Sequence, residues 1–163
     1  MSVANKKIII HISRQQLDLY SGQQLQSRYT ISSALNGTGQ QSHSGKTPLG
    51  QHKIRLKIGH NCPPGTVFVG RRPTGEVYSA QLAADYPDRD WILTRIIWLT
   101  GCESGFNRGG EVDTLRRYIY IHGCPDSEPM GIALSHGCIR MRNRDLLALF
   151  EQVEVNMPVL ITL

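Results

Sequence analysis

Apolar and polar residues alternate with a period of two through much of this chain, the pattern of strands with one buried face. Lys7–Ile12 and Leu17–Tyr20 read as a hairpin pair, and a turn at Ser21-Gly22 leads into a third strand over Leu25–Ser32. Further strands are expected at His52–Ile58, Val67–Val69, Glu76–Tyr78, Tyr118–His122 and Met157–Leu163. Trp91–Leu99 is expected to set Ile92, Thr94, Ile96 and Trp98 on one side and Leu93, Arg95, Ile97 and Leu99 on the other. Glycine and proline punctuate the segments between, most densely at Asn36–Gly50 and Pro63-Pro64-Gly65. Only one helix is convincing: Asn143 is placed to cap it, Asp145 suits its positive end, and Leu146, Leu149, Phe150 and Val153 fall on one face. Gln81–Ala84 reads as a helical turn. The expected architecture is mainly β, a sandwich or barrel of two mixed sheets with a principal helix near the C-terminus.

At 163 residues with 40% apolar content, the chain fits one domain over residues 1–163, and general disorder is excluded. No apolar run approaches the roughly 18 residues of a membrane span, so no membrane insertion is expected. Eighteen Lys+Arg against 13 Asp+Glu gives a net charge of +5, which favours acidic partners. The basic residues are scattered, as at Arg55/Lys57, Arg71/Arg72 and Arg116/Arg117, so a solvated surface is expected and not a nucleic-acid track. Lys6-Lys7 precede only Ile8–Ile10 before polar residues return, too short for a secretory leader. With Met1 as the start, a cytoplasmic location follows, and Cys62, Cys102, Cys124 and Cys138 are then mostly reduced.

Chemistry concentrates in Tyr118-Ile119-Tyr120-Ile121-His122-Gly123 and, after a loop, Ser135-His136-Gly137-Cys138-Ile139-Arg140-Met141. A strand delivers one imidazole, and sixteen residues later a cysteine follows a glycine. A cysteine with an imidazole is the minimum equipment for thiol acyl transfer. Gly137 permits strained backbone beside the sulfur. Arg140 and the neighbouring histidines are expected to lower the pKa of the Cys138 thiol.

The run Ser135–Met141, with His122-Gly123 upstream, resembles the active-site signature of the L,D-transpeptidase (YkuD) family. Lys46-Thr47-Pro48-Leu49-Gly50 resembles a second landmark of that family, and Gln15–Tyr20 and Ser32-Ser33 fit its order along the chain. The resemblance implies a β sandwich with the cysteine in a cleft under a mobile loop. It implies Cys138 as nucleophile and His122 as general base, with the Gly123 carbonyl orienting the imidazole. It also implies a peptidoglycan tetrapeptide or muropeptide substrate, cleaved between its third residue and the terminal D-Ala through a thioester. No cofactor and no metal are expected.

Backbone N–H groups of Gly137 and Cys138 are candidate oxyanion donors. Arg140, two residues beyond the sulfur, shares its face if the stretch is extended, and its guanidinium suits a substrate carboxylate. His136 is the rival base or a substrate contact, and Ser135 a hydrogen-bonding turn residue. Arg142 and Arg144 coat the helix entrance, while Tyr118 and Tyr120 are expected to pack in the sheet. His122-x-Cys124 and His136-x-Cys138 supply a zinc ligand set by type, but with one intervening residue in each pair. Cys124 is a loop residue or a redox partner of Cys138, and Cys62 and Cys102 are read as structural. With no leader or anchor recognised, hydrolysis of a muropeptide in wall recycling is favoured over transfer to an amine. A non-catalytic wall-binding module and a basic nucleic-acid-binding domain are the readings from other classes. Oligomeric state is not fixed by these features.

Overall fold

Alternation places Ile8 and Ile10 in the interior of β1 (Lys6–His11), and Leu17 and Leu19 in β2 (Gln16–Ser21) opposite them. Described here is a computed structural model covering residues 5–163; Met1, on which the expected cytoplasmic location rests, lies outside the described residues. Eight further strands follow: β3 (Gln24–Ser32), β4 (Gly50–Ile58), β5 (Thr66–Val69), β6 (Arg72–Val77), β7 (Ile92–Gly101), β8 (Tyr120–Gly123), β9 (Ile139–Met141) and β10 (Pro158–Thr162). The helices are α1 (Ala80–Asp85) and α2 (Asn143–Gln152), and a short 3₁₀ turn spans Gly110–Val112.

The strands form one sheet of ten in the order β4-β10-β1-β2-β3-β9-β8-β7-β5-β6, and β4 also pairs with β7. That last pairing closes eight strands into a barrel and leaves the β5–β6 hairpin attached outside along β7. The two expected layers are thus opposite walls of one closed, mixed sheet. Its parallel contacts are β1–β10 and β8–β9. Closure suits a chain of short strands because it removes free edges. The main core fills the barrel and extends under α2, which buries Leu146, Leu149 and Phe150. Among the described residues no helix is long and apolar enough to cross a membrane.

Three local differences from the sequence reading bear on the site. First, Asn143 does not cap α2: Arg142 occupies that place without a side-chain bond, and Asn143 begins the helix. Its amide donates to the Cys124 carbonyl (2.9 Å), and its oxygen accepts from the Thr94 hydroxyl (2.6 Å), tying α2 to β7 and to the end of β8. Second, β7 carries a bulge: its pairing with β8 shifts between Leu93 and Ile96, and Thr94 sits at φ +76°. A β-branched residue rarely adopts that conformation, and here the Thr94 hydroxyl is held by Gly65 N–H (3.0 Å) and Asn143. Third, Tyr118 is not in the strand; it sits at φ +57° and β8 begins at Tyr120.

Candidate active site

The β8–β9 register assembles the site. These strands run parallel with His122 opposite Arg140 and Ile121 opposite Ile139. Ile121 and Ile139 point into the core, so their neighbours Tyr120, His122 and Arg140 share the other face. One residue before β9, Cys138 lies beside Tyr120: its Sγ accepts from the Tyr120 N–H (3.3 Å), and its S–H donates to the Tyr118 carbonyl (3.3 Å). His122 and Cys138 line the same cleft of about 300 Å³, together with Arg140, Asp90, Arg117 and Arg71. The loop from Cys124 to Gly137 is what lets two parallel neighbours bring a distant imidazole and thiol to one wall.

The backbone before the sulfur is held from several sides. Ser135 Oγ donates to the Cys138 carbonyl (2.6 Å) and accepts from Gly137 N–H (3.2 Å). Buried Thr47 donates to the Gly137 carbonyl (2.9 Å) and accepts from Ala34 N–H (3.0 Å). Gly137 has φ +135°, a conformation that side-chain-bearing residues rarely adopt, so glycine suits this position. Gly137 N–H, expected as an oxyanion donor, is directed at Ser135 instead.

His122 is buried, and its Nδ1–H donates to the Gly123 carbonyl at 2.6 Å. A carbonyl only accepts, so the proton is on Nδ1 and the Nε2 lone pair is free for chemistry. Burial, chiefly, holds the His122 pKa below its ordinary value, with Arg140 acting in the same sense; the Gly123 carbonyl and Asp90 oppose. The imidazole is therefore neutral near pH 7. Burial likewise pushes the Cys138 thiol up to about 12, with Asp90 adding to it, while the Tyr120 N–H, Arg140 and Arg117 pull the other way. This reverses the expectation of a thiol activated by nearby positive charge: the cations are present, but desolvation outweighs them.

Arg140 is 8% exposed. It lies 3.4 Å from Asp90 and 3.7 Å from Glu128, and also donates to the Leu134 carbonyl (3.5 Å). His136 is exposed at the rim, with Nδ1 3.4 Å from the other Asp90 oxygen. Cys124 is buried against the Met141 carbonyl (3.6 Å), and its thiol is pushed up to about 11 by burial. All four cysteines are free thiols; Cys102 is exposed, not a core residue. Among the described residues no three His, Cys, Asp or Glu side chains converge as a metal-ligand set.

Three contributors, Arg117, Arg71 and Asp90, are not assigned to the site by the sequence, and a fourth, Thr47, is read there only as part of the Lys46–Gly50 turn. Arg117 donates to the carbonyls of Lys46 (2.6 Å), Gly39 (3.2 Å) and Gln40 (3.2 Å), fastening the glycine-rich loop to the cleft. Arg71, in the β5–β6 turn, donates to the Tyr120 hydroxyl (3.2 Å) and stacks its guanidinium 4.6 Å from the Tyr118 ring centroid. Thr47 anchors Gly137, and Asp90 joins Arg140 to His136. Nothing in a scattered set of 18 Lys+Arg marks Arg117 or Arg71; their roles come from long-range folding.

A thiol and a neutral imidazole in one cleft are the equipment with which cysteine enzymes form acyl intermediates. A sequence model of the L,D-transpeptidase catalytic domain (YkuD) matches residues 5–161, and the chain belongs to that family. Among solved structures it is similar to L,D-transpeptidase 3 from Mycobacterium tuberculosis (16% identity, TM-score 0.60, 98% of this chain and 61% of that one). It is also similar to an L,D-transpeptidase from Enterococcus faecium (15% identity, TM-score 0.57, 97% of this chain and 50% of that one). A third is the L,D-transpeptidase from Mycobacterium smegmatis (14% identity, TM-score 0.57, 98% and 59%). The chain therefore spans between half and about three-fifths of the length of these relatives. No curated protein matches it in sequence.

Proposed function

We propose that the chain cleaves the bond between the third residue and the terminal D-Ala of a peptidoglycan tetrapeptide, with Cys138 as nucleophile and His122 as general base. The observation that carries this reading is the shared cleft, which holds the thiol and an imidazole whose free nitrogen is Nε2. In the resting site the S–H faces the Tyr118 carbonyl, so catalysis begins by turning that proton toward His122 Nε2. Sulfur then attacks the carbonyl of residue three as Nε2 takes the proton; the pair passes from neutral to zwitterionic only as the C–S bond forms. The Cys138 N–H remains to stabilise the oxyanion, since that of Gly137 is directed at Ser135. Collapse breaks the C–N bond, the imidazolium returns its proton to the departing D-Ala amine, and a thioester is left on Cys138. Arg140 receives a substrate carboxylate in exchange for its long contacts to Asp90 and Glu128.

Water then attacks the thioester, giving L,D-carboxypeptidase activity on soluble muropeptides. A second reading, transfer to an amine, is favoured by the recess beside the cleft, where Asp88, Asp90 and Glu128 suit an ammonium group once Arg140, which shares that lining, has turned to the substrate carboxylate. The test is incubation of a disaccharide tetrapeptide with and without a D-amino acid, followed by mass spectrometry. Loss of D-Ala alone supports hydrolysis, and exchange or dimer formation supports transfer. Cys138→Ala is expected to abolish both, and turnover by that variant overturns the assignment.

A further inference from the structure

A concavity of about 500 Å³ lies on the outer wall of the barrel, away from the cysteine cleft. Ile54 of β4 points inward and is fully buried, so its neighbours Lys53 and Arg55 point outward into this cavity. Arg108 and Arg116, from the long segment joining β7 to β8, face them. Among the described residues none of the four lies within ion-pair distance of a carboxylate. The single acidic lining residue, Asp113, is occupied by two backbone N–H groups, those of Gly109 (2.6 Å) and Arg116 (2.9 Å). Thr100 and Asn156 add neutral hydrogen-bonding groups to the lining.

Four cations gathered around one carboxylate, itself turned to two backbone N–H groups, leave an excess of positive charge, an arrangement that lowers stability unless something else compensates. One carboxylate needs a single guanidinium, whereas a diphosphate presents several anionic oxygens to several donors at once. Arg116 borders both this cavity and a smaller recess lined by His43 and Arg117, and that recess shares Arg117, Tyr118 and His136 with the cysteine cleft.

We propose that the cavity between Lys53, Arg55, Arg108 and Arg116 is a binding site for a diphosphate group. Such a group has two sources, a nucleotide diphosphate at the far end of the stem-peptide substrate or a separate phosphorylated ligand. The site does not depend on the reaction assigned to Cys138, so its test reads binding directly. Inorganic pyrophosphate is titrated calorimetrically into the full chain and into an Arg55→Gln/Arg108→Gln double variant. Both replaced side chains are exposed, and the melting temperature of the free variant is expected to equal or exceed that of the parent because repulsion is relieved. Saturable binding that weakens with added salt and falls about tenfold or more in the variant supports the site. Amide shifts in nitrogen–proton spectra are then expected at Thr100, Gly101 and Gly109. Absent binding, or equal binding by parent and variant, overturns it. Where binding holds, the source is read from D-Ala release. Inhibition by pyrophosphate of turnover of a nucleotide-linked stem peptide, with the disaccharide tetrapeptide unaffected, identifies the substrate's own diphosphate, and no effect on either substrate identifies a separate ligand.

Discussion

At the scale of single residues, the decisive quantity is the protonation state of Cys138. A thiol pushed up to about 12 is almost wholly protonated near neutrality, so the site is a neutral pair and not a preformed thiolate–imidazolium. Alkylation of Cys138 by iodoacetamide is expected to be slow near pH 7 and to climb about tenfold per pH unit well past the range of an ordinary thiol. A plateau below about pH 8, followed by stopped-flow or mass spectrometry on a variant lacking the other cysteines, contradicts this. Asp90 adds to the upward shift, so Asp90→Asn is expected to speed alkylation at fixed pH while leaving its slope unchanged. Turnover is expected to fall as acid protonates His122, with the inflection below the ordinary histidine value because burial disfavours the imidazolium. The two residues proposed as the reactive pair stood out in the sequence, because Ser135–Met141 and His122-Gly123 are a long, specific pattern, and the fold brings both to one cleft. The sign of the thiol shift was not legible, because it depends on desolvation by chain segments far away in sequence.

Elements explain what was read correctly and what was missed. Strands β1 to β4 place apolar residues of alternating positions in the core, as Ile8/Ile10, Leu17/Leu19 and Ile54 show, and their positions were readable within a residue or two. Strand β9 has only three residues, all buried, and offers no alternation to detect; its existence is set by its neighbours β3 and β8. The Asn143 error has the same origin, since a helix-start asparagine reads as a cap until the fold offers Thr94 and the Cys124 carbonyl as better partners. This junction is tight: a Cβ on Gly123 would meet Asn143 and lie 2.7 Å from the Leu93 carbonyl. Gly123→Ala is therefore expected to destabilise the chain by about 1–3 kcal/mol through overpacking, read as a lower denaturant midpoint. Because the displaced backbone includes the acceptor of the His122 Nδ1–H, activity should fall further than folding alone explains. An unchanged midpoint in that variant argues against the close packing of α2 on β7 and β8. By contrast, Leu149→Ala in α2 empties core volume away from the cleft and should cost about 2–5 kcal/mol while sparing kcat in the folded fraction.

On the scale of the whole molecule, barrel closure is linked to pH through His52. This residue lies on β4, the strand that joins β10 to β7, and is 1% exposed. Its Nδ1 meets the Gly50 carbonyl at 3.0 Å, and Nε2 meets the Thr114 hydroxyl at 2.9 Å, so the ring ties the closing strand to the segment that precedes β8. Burial lowers its pKa from 6.5 to about 4. The unfolded chain therefore binds a proton at His52 over a range in which the folded chain does not. Stability is unaffected by this residue above about pH 6.5, falls as pH drops toward about 4, and levels below that, for a total of about 3 kcal/mol. His122 acts in the same direction, since its pKa is also lowered by burial. Urea midpoints measured from pH 7.5 down to about pH 4 should decline through that window, and His52→Gln should flatten the decline while lowering the plateau above it. If the variant keeps the parent's full pH dependence, the closing strand is not where acid acts, and the loss must be traced to His122 and the cleft instead.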